Sequence, residues 1–149
     1  MLDYCVSTNQ YNKLNNLPLI KTIIHLKDVN YYQQTLGIPV SFIFHHILKH
    51  HKLDTLKLSE ENCPIIIQSN DLSSLFELQN MKTMIPRVYQ ASHRTIFQWD
   101  WIKTVVHGIS TEVDLLYDSS WNGTIFKTDF LKKAKESEMF VIVRNVKEK

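Results

Sequence analysis

Gly108-Ile109-Ser110-Thr111-Glu112-Val113-Asp114-Leu115-Leu116-Tyr117-Asp118 alternates between apolar and polar residues along most of its length. Ile109, Thr111, Val113, Leu115 and Tyr117 fall on one side; Ser110, Glu112, Asp114 and Asp118 fall on the other. A period of two predicts a strand with one face on a core and an acidic face turned to water or a ligand. The segments on either side extend this pattern. Thr95–Val106 is open between helix and strand, with its β-branched and aromatic content favouring strand, and His107-Gly108 reads as the turn out of it. After Asp118, Ser119–Gly123 with its Asn-Gly pair reads as a hairpin loop into Thr124–Lys127.

Further upstream, Met84–Gln90 reads as a strand that Pro86 pushes to a sheet edge, because proline cannot donate to a ladder. Pro64–Gln68 is a short buried strand, and Asp71–Asn80 a helix capped by Ser69-Asn70-Asp71. Pro39–Lys52 carries a helical stripe of Val40, Ile43, Phe44, Ile47 and Leu48. Leu19–Leu26 reads as an earlier helical face, with Gly37 as a stop. Downstream, Thr128 caps a helix to about Glu138, and Met139–Val143 is a last strand. The expected fold is therefore a single α+β domain over residues 1–149. Its helices lie mainly in the N-terminal half, and a largely antiparallel β-meander in the C-terminal half ends in a final helix and strand.

Composition narrows the function classes. With 149 residues, 44% hydrophobic and 21% charged, the chain has ordinary globular content, so disorder and fibrous repeats are disfavoured. A net charge of +2 carries no bulk electrostatic signal for nucleic acid. The three glycines are isolated, whereas average usage of about 7% would give roughly ten. Glycine loops that cradle phosphate are therefore absent, which sets aside P-loop, dinucleotide-binding and kinase readings. Cys5 and Cys63 match no metal-ligand or disulfide framework, no leader peptide is evident, and no apolar run is long enough to span a bilayer. The expected location is the cytoplasm, with no membrane association and no cofactor.

Three sets of residues carry candidate chemistry. Glu112 and Asp114, two apart on one strand, have origins about 6.6–6.8 Å apart. Two carboxylates at that spacing can share a divalent cation or divide acid and base roles. With Lys127 on the following strand, they form the candidate catalytic set. This acidic strand, turn and lysine-ended strand is similar to the metal-site hairpin of the PD-(D/E)xK nucleases over Glu112 to Lys127. The resemblance implies metal-dependent phosphodiester cleavage. Where that family places an acidic residue two before the lysine, this chain has Ile125, which cannot hold a metal.

His46 and His50, at i and i+4 on the predicted second helix, are the candidate metal ligands. No glutamate follows His46, and Lys49 lies between them, so a solvated basic face is the simpler account. The third set joins Glu112, Asp114 and Asp118 to Trp121, an acidic and aromatic surface of the kind that steers and holds a protein partner.

Lacking an enzyme signature, the sequence alone favours a small cytosolic protein-binding module: an inhibitor or immunity-type protein occluding a basic toxin or enzyme. The divalent-metal nuclease on Glu112, Asp114 and Lys127 is the alternative. Non-catalytic nucleic-acid binding through the His/Lys-rich helix, with His45, His46, Lys49, His50 and Lys52, is the second.

Overall fold

Short β-branched runs alternate with amphipathic ones along this chain, and the structure turns that alternation into strands joined by helices. The computed structural model describes residues 8, 11–15, 22–54, 65–92, 98–119 and 124–144. Its elements are β1 (Thr22–Leu26), α1 (Val29–Leu36), α2 (Val40–His50), β2 (Ile65–Ser69), α3 (Leu72–Asn80), β3 (Arg87–Gln90), α4 (Trp99–Val105) and β4 (Gly108–Glu112). A 3-10 turn at Val113–Leu115 leads into β5 (Tyr117–Ser119), β6 (Ile125–Lys127), α5 (Phe130–Glu136) and β7 (Phe140–Arg144).

Five strands form one sheet in the order β1-β2-β3-β4-β7, and every neighbouring pair in it is parallel. The expected α+β fold with an antiparallel meander is thus corrected to an α/β layer. Antiparallel pairing among the described residues is confined to the β5-β6 ribbon in the connection between β4 and α5.

The correction turns on Thr95–Val106. From Trp99 to Val105 this segment is helix α4, with Ile102 and Val105 buried and Trp101, Lys103 and Thr104 exposed. That spacing of three is helical, and β-branched content yields to it because a weak propensity is overridden by burial of the stripe. With α4 as a crossover, β3 and β4 run parallel, as a strand-helix-strand unit requires. Residues 93–97 lie outside the described region.

Two further expectations change for local reasons. Leu19–Leu26 does not supply a helix at its described end: Thr22–Leu26 is β1, paired in register with Ile65–Ser69. β3 is interior rather than an edge, lying between β2 and β4. Pro86 precedes the first β3 residue, so its missing N–H falls before the strand, and its carbonyl accepts a hydrogen bond from Ile67 N–H at 2.9 Å.

The other helix ends lie close to where their sequence signals put them. α1 stops at Gly37, whose φ of 67° is the left-handed conformation that glycine adopts without a Cβ penalty. Asp71 caps α3 by accepting from Ser73 N–H at 3.0 Å, and Thr128 Oγ1 accepts from Phe130 N–H at 3.4 Å at the start of α5.

Strand order rises along the chain with no reversal, so successive crossovers keep the helices on one side. Val29, Leu48, Leu75, Leu78, Ile102, Val105 and Phe130, drawn from α1 to α5, share one buried cluster with Leu26, Ile65, Ile67, Tyr89 and Ile109. These strand residues belong to a single face. Alternate strand residues make up the other, inner face, which takes no part in that cluster. Among the described residues, no helix is long and apolar enough to cross a membrane.

Candidate functional site at the strand ends

Register fixes which inner-face side chains are neighbours. His25 stands beside Gln68, which stands beside Val88, Gly108 and Phe140 in one row across the sheet. Towards the C-terminal ends, Gln90, Ser110 and Ile142 form the next row, and Glu112 with Arg144 the last. Below all of these lie Ile23 and Ile66. The inner face thus grades from apolar at the bottom to charged at the top. In parallel α/β folds, ligands bind at the C-terminal ends of the strands.

Polar groups here are shielded without being fully satisfied. Gln68 and Ser110 are buried, and Gln68 Nε2 donates to Gln90 Oε1 at 3.1 Å. Ser110 Oγ, His25 Nε2 and Arg144 Nε are buried and have no hydrogen-bond partner among the described residues. A buried polar atom left in that state costs about 1–3 kcal/mol, so three of them on one face mark a place shaped for something polar.

Arg144 ties the face together. From β7 at one end of the sheet, its Nη2 donates to Ala91 O at 3.3 Å, just past the end of β3, so its side chain reaches over β4. Its charge is also felt at His25, on β1 at the opposite end. The His25 imidazole is held below its ordinary pKa first by burial, then by Lys27 and Arg144, with Asp28 opposing. Both end strands of the sheet thus place a nitrogen-bearing side chain, His25 and Arg144, on the inner face. At the strand ends a cleft of about 430 Å³ opens, lined by Asn70, Gln90, Ser92, Glu112, Leu115 and Arg144 among others.

The sequence-derived candidates are distributed unevenly over this geometry. Glu112 ends β4, is exposed, and lines the cleft beside Arg144. Asp114 does not share its strand face, because the backbone turns into the 3-10 segment at Val113, where Leu116 N–H bonds back to Val113 O at 2.9 Å. Lys127 is exposed on the β5-β6 ribbon, opposite Tyr117, and is not among the cleft residues. Asp118 pairs with Phe126 in the same ribbon through the backbone, and Trp121 lies outside the described residues.

His46 and His50 are exposed on α2, away from the strand ends; His46 packs edge-on to Phe42 with ring centroids 4.5 Å apart, and His50 to His51 at 5.2 Å. Among the described residues, no group of three or more His, Cys, Asp or Glu side chains is placed to hold a metal ion. Arg144, His25, Gln68, Gln90 and Ser110 are the residues that sequence reasoning missed. Only their common place, one strand face near its C-terminal end, links them, and that link needs the parallel register.

No family model matches the sequence, and comparison with curated proteins finds no match. Among solved structures, the chain is similar to the crystal structure of a protein assigned as a glycerophosphoryl diester phosphodiesterase from Silicibacter pomeroyi, with a TM-score of 0.62 at 10% sequence identity. The fold is TIM-barrel-like. The match covers 98% of this chain and 45% of that one, so the chain spans less than half the length of the structure it resembles.

At this identity the likeness bears on fold alone, but that fold is shared with a protein assigned as an enzyme, which does not support the inhibitor or immunity reading drawn from a missing enzyme signature and an acidic, aromatic surface. That reading is withdrawn. The hairpin nuclease goes with it, since β4 ends before Asp114 and the carboxylate pair is not assembled on one strand. Nucleic-acid binding along α2, the second alternative to that reading, gains no support from this likeness of fold either.

Proposed function

We propose that the inner face binds a phosphodiester at the strand ends, and that the chain supplies this part of a barrel-type phosphodiesterase. One observation carries the reading: Arg144 crosses from β7 to Ala91 with its Nε unpartnered, over a floor of buried, under-satisfied polar groups. A guanidinium presents parallel N–H donors that match two phosphate oxygens, and charge-assisted bonds of this type are about twice as strong as neutral ones. The activity assigned to the structurally similar protein supports the same ligand class.

Hydrolysis requires a base for the attacking water and an acid for the leaving oxygen. Glu112, beside Arg144 at the top of β4, is the carboxylate placed to take the water's proton. His25, in its protonated form, is the inner-face imidazole that would give a proton to the departing oxygen, which leaves as the alcohol. Arg144 would balance the charge that develops on the phosphoryl oxygens.

The test uses dimethyl phosphate as a binding probe and bis(4-nitrophenyl) phosphate as a substrate, with the full chain. Arg144→Met should weaken binding of dimethyl phosphate at least about tenfold, the scale of one lost charge-assisted contact. Glu112→Gln should leave binding within about twofold while abolishing any release of nitrophenol, since its role lies in the reaction rather than in holding the anion. Binding by the wild type that Arg144→Met leaves unchanged would remove the reading.

A further inference from the structure

A second feature lies at the C-terminal end of β1, beside α1 and α2. Tyr32 of α1, Ile38 of the loop after it, and Ile43 and Ile47 of α2 line a groove of about 450 Å³ that reaches His25, Leu26 and Lys27 at the end of β1. All four large side chains are exposed, between 40% and 46% of their full accessibility. Scattered exposed apolar residues need no explanation, but four around one groove mark a contact surface.

Position and charge say what fits it. Among the described residues β1 ends the five-stranded sheet, and α1 and α2 follow it, so the groove lies at the β1 end of a singly wound layer. In such a layer each helix packs beside the helix of the preceding strand-helix unit. The structure this chain resembles runs well beyond the matched part. Asp28 is the one acidic residue from Lys27 to Leu53, whereas Lys27, Lys49 and Lys52 are basic and His46 and His50 lie beside Lys49. A second copy closing the layer through its β7 end would bring α5 with Lys132, Lys133 and Lys135 against Glu136 alone, setting like charges together.

We propose that this groove docks an amphipathic helix with an apolar stripe and acidic flanks, carried by a partner chain and standing where the next unit past β1 would stand. The groove touches His25 but has no lining residue in common with the strand-end cleft of Glu112 and Arg144, and the inference does not depend on phosphodiester binding. Ile43 and Ile47 would fill the apolar stripe, and the basic rim would select the acidic flanks.

The experiment uses two labelled synthetic helices with the same leucine stripe, one with glutamate flanks and one with lysine flanks, titrated against the full chain by fluorescence anisotropy at low and high salt. The glutamate helix should bind at least about tenfold tighter than the lysine helix, and less tightly as salt rises. Ile43→Ser/Ile47→Ser, at two exposed positions that leave the core intact, should cost the glutamate helix at least about tenfold while circular dichroism stays unchanged. Equal binding of the two helices, no binding, or indifference to the double substitution would overturn the proposal. So would a dimer in sedimentation equilibrium that Ile43→Ser/Ile47→Ser dissolves, because the groove would then belong to a second copy of this chain.

Discussion

His107 lies partly buried just before β4, at the end of the sheet away from the cleft, and its Nδ1 accepts a hydrogen bond from Arg87 N–H at 3.2 Å. Arg87 is itself buried and held by donation from Nε to Val105 O at 2.8 Å and from Nη1 to Thr83 O at 2.7 Å. Burial first, and the Arg87 charge second, hold the His107 imidazole below its ordinary 6.5. A proton on Nδ1 would also remove its acceptor role. Between the folded value and about 6.5 the unfolded chain binds more protons, so this contribution to stability is complete above about 6.5 and is lost as pH falls towards the folded value.

The thermal midpoint of the chain should therefore drop as pH falls from 7 to 5. His107→Asn keeps an acceptor near the Nδ1 position without titrating, and should flatten that slope. His25 is depressed in the same direction, so part of the slope should survive in His107→Asn and disappear when His25→Asn is added. An unchanged slope in the double variant would show that neither histidine is the source.

On the inner face, His25 gives a second pH effect of opposite use. A bound phosphodiester keeps one negative charge as pH falls from 7, while His25, held below its ordinary 6.5, gains a proton only at lower pH than a free imidazole. Protonated imidazole attracts the anion, so affinity for dimethyl phosphate should rise as pH falls, and His25→Asn should remove the rise. Calorimetric titrations at pH 7.5 and 5.5 measure both arms. A wild-type affinity that falls in acid would set His25 outside the site.

Among the elements, β4 and β7 meet through a close contact that the composition of the chain makes conspicuous. A Cβ built on Gly108 would stand 2.6 Å from Phe140 Cε2 and 2.7 Å from Phe140 Cδ2, so the Phe140 ring occupies the space a side chain would need. The two residues are register partners. Gly108→Ala should thus destabilise the chain by about 1–3 kcal/mol through overpacking, and Phe140→Leu in the same chain should recover part of it. Urea unfolding of the two variants measures the difference; equal loss in both would mean that ring displacement is not the cause.

α4 shows why the elements were only partly legible. Its buried pair Ile102 and Val105 and its exposed pair Trp101 and Lys103 follow a helical period, yet its β-branched and aromatic content favours a strand. Trp99 settles the matter in three dimensions, packing its ring against Phe130 of α5 with centroids 5.3 Å apart. No local signal reports such a contact. The same blindness affected Glu112 and Asp114, whose alternation continues through a backbone that has already left the sheet. Caps and stops were readable near Gly37, Asp71 and Thr128 because their physics is confined to one turn of chain. Arg144 was not, because its meaning depends on β3 and β1, far away in sequence. Ile102→Ala should cost about 2–5 kcal/mol as a buried large-to-small change, whereas Trp101→Ala, on the exposed side, should cost well under half of that.

At the scale of the whole chain, the consequence of a five-stranded layer is unequal protection along the sheet. β2, β3 and β4 are paired on both sides, while β1 and β7 end the sheet. Opening an end strand breaks one ladder; opening a middle strand breaks two and exposes Ile65, Ile67, Val88 and Ile109, all fully buried. Amide exchange should therefore be slowest in Ile65–Ser69, Arg87–Gln90 and Gly108–Glu112 and faster in Thr22–Leu26 and Phe140–Arg144. A bound diester reaching Arg144 and His25 would link the two end strands across the inner face, and anything that binds the folded state alone stabilises it by RT ln(1 + [L]/Kd). Saturating dimethyl phosphate should consequently slow exchange in both end strands together, more than in the middle ones. In Arg144→Met that joint slowing should vanish, although the unliganded pattern persists. Slowing confined to β7 would mean that the anion meets Arg144 without drawing on β1, and would place His25 outside the binding site.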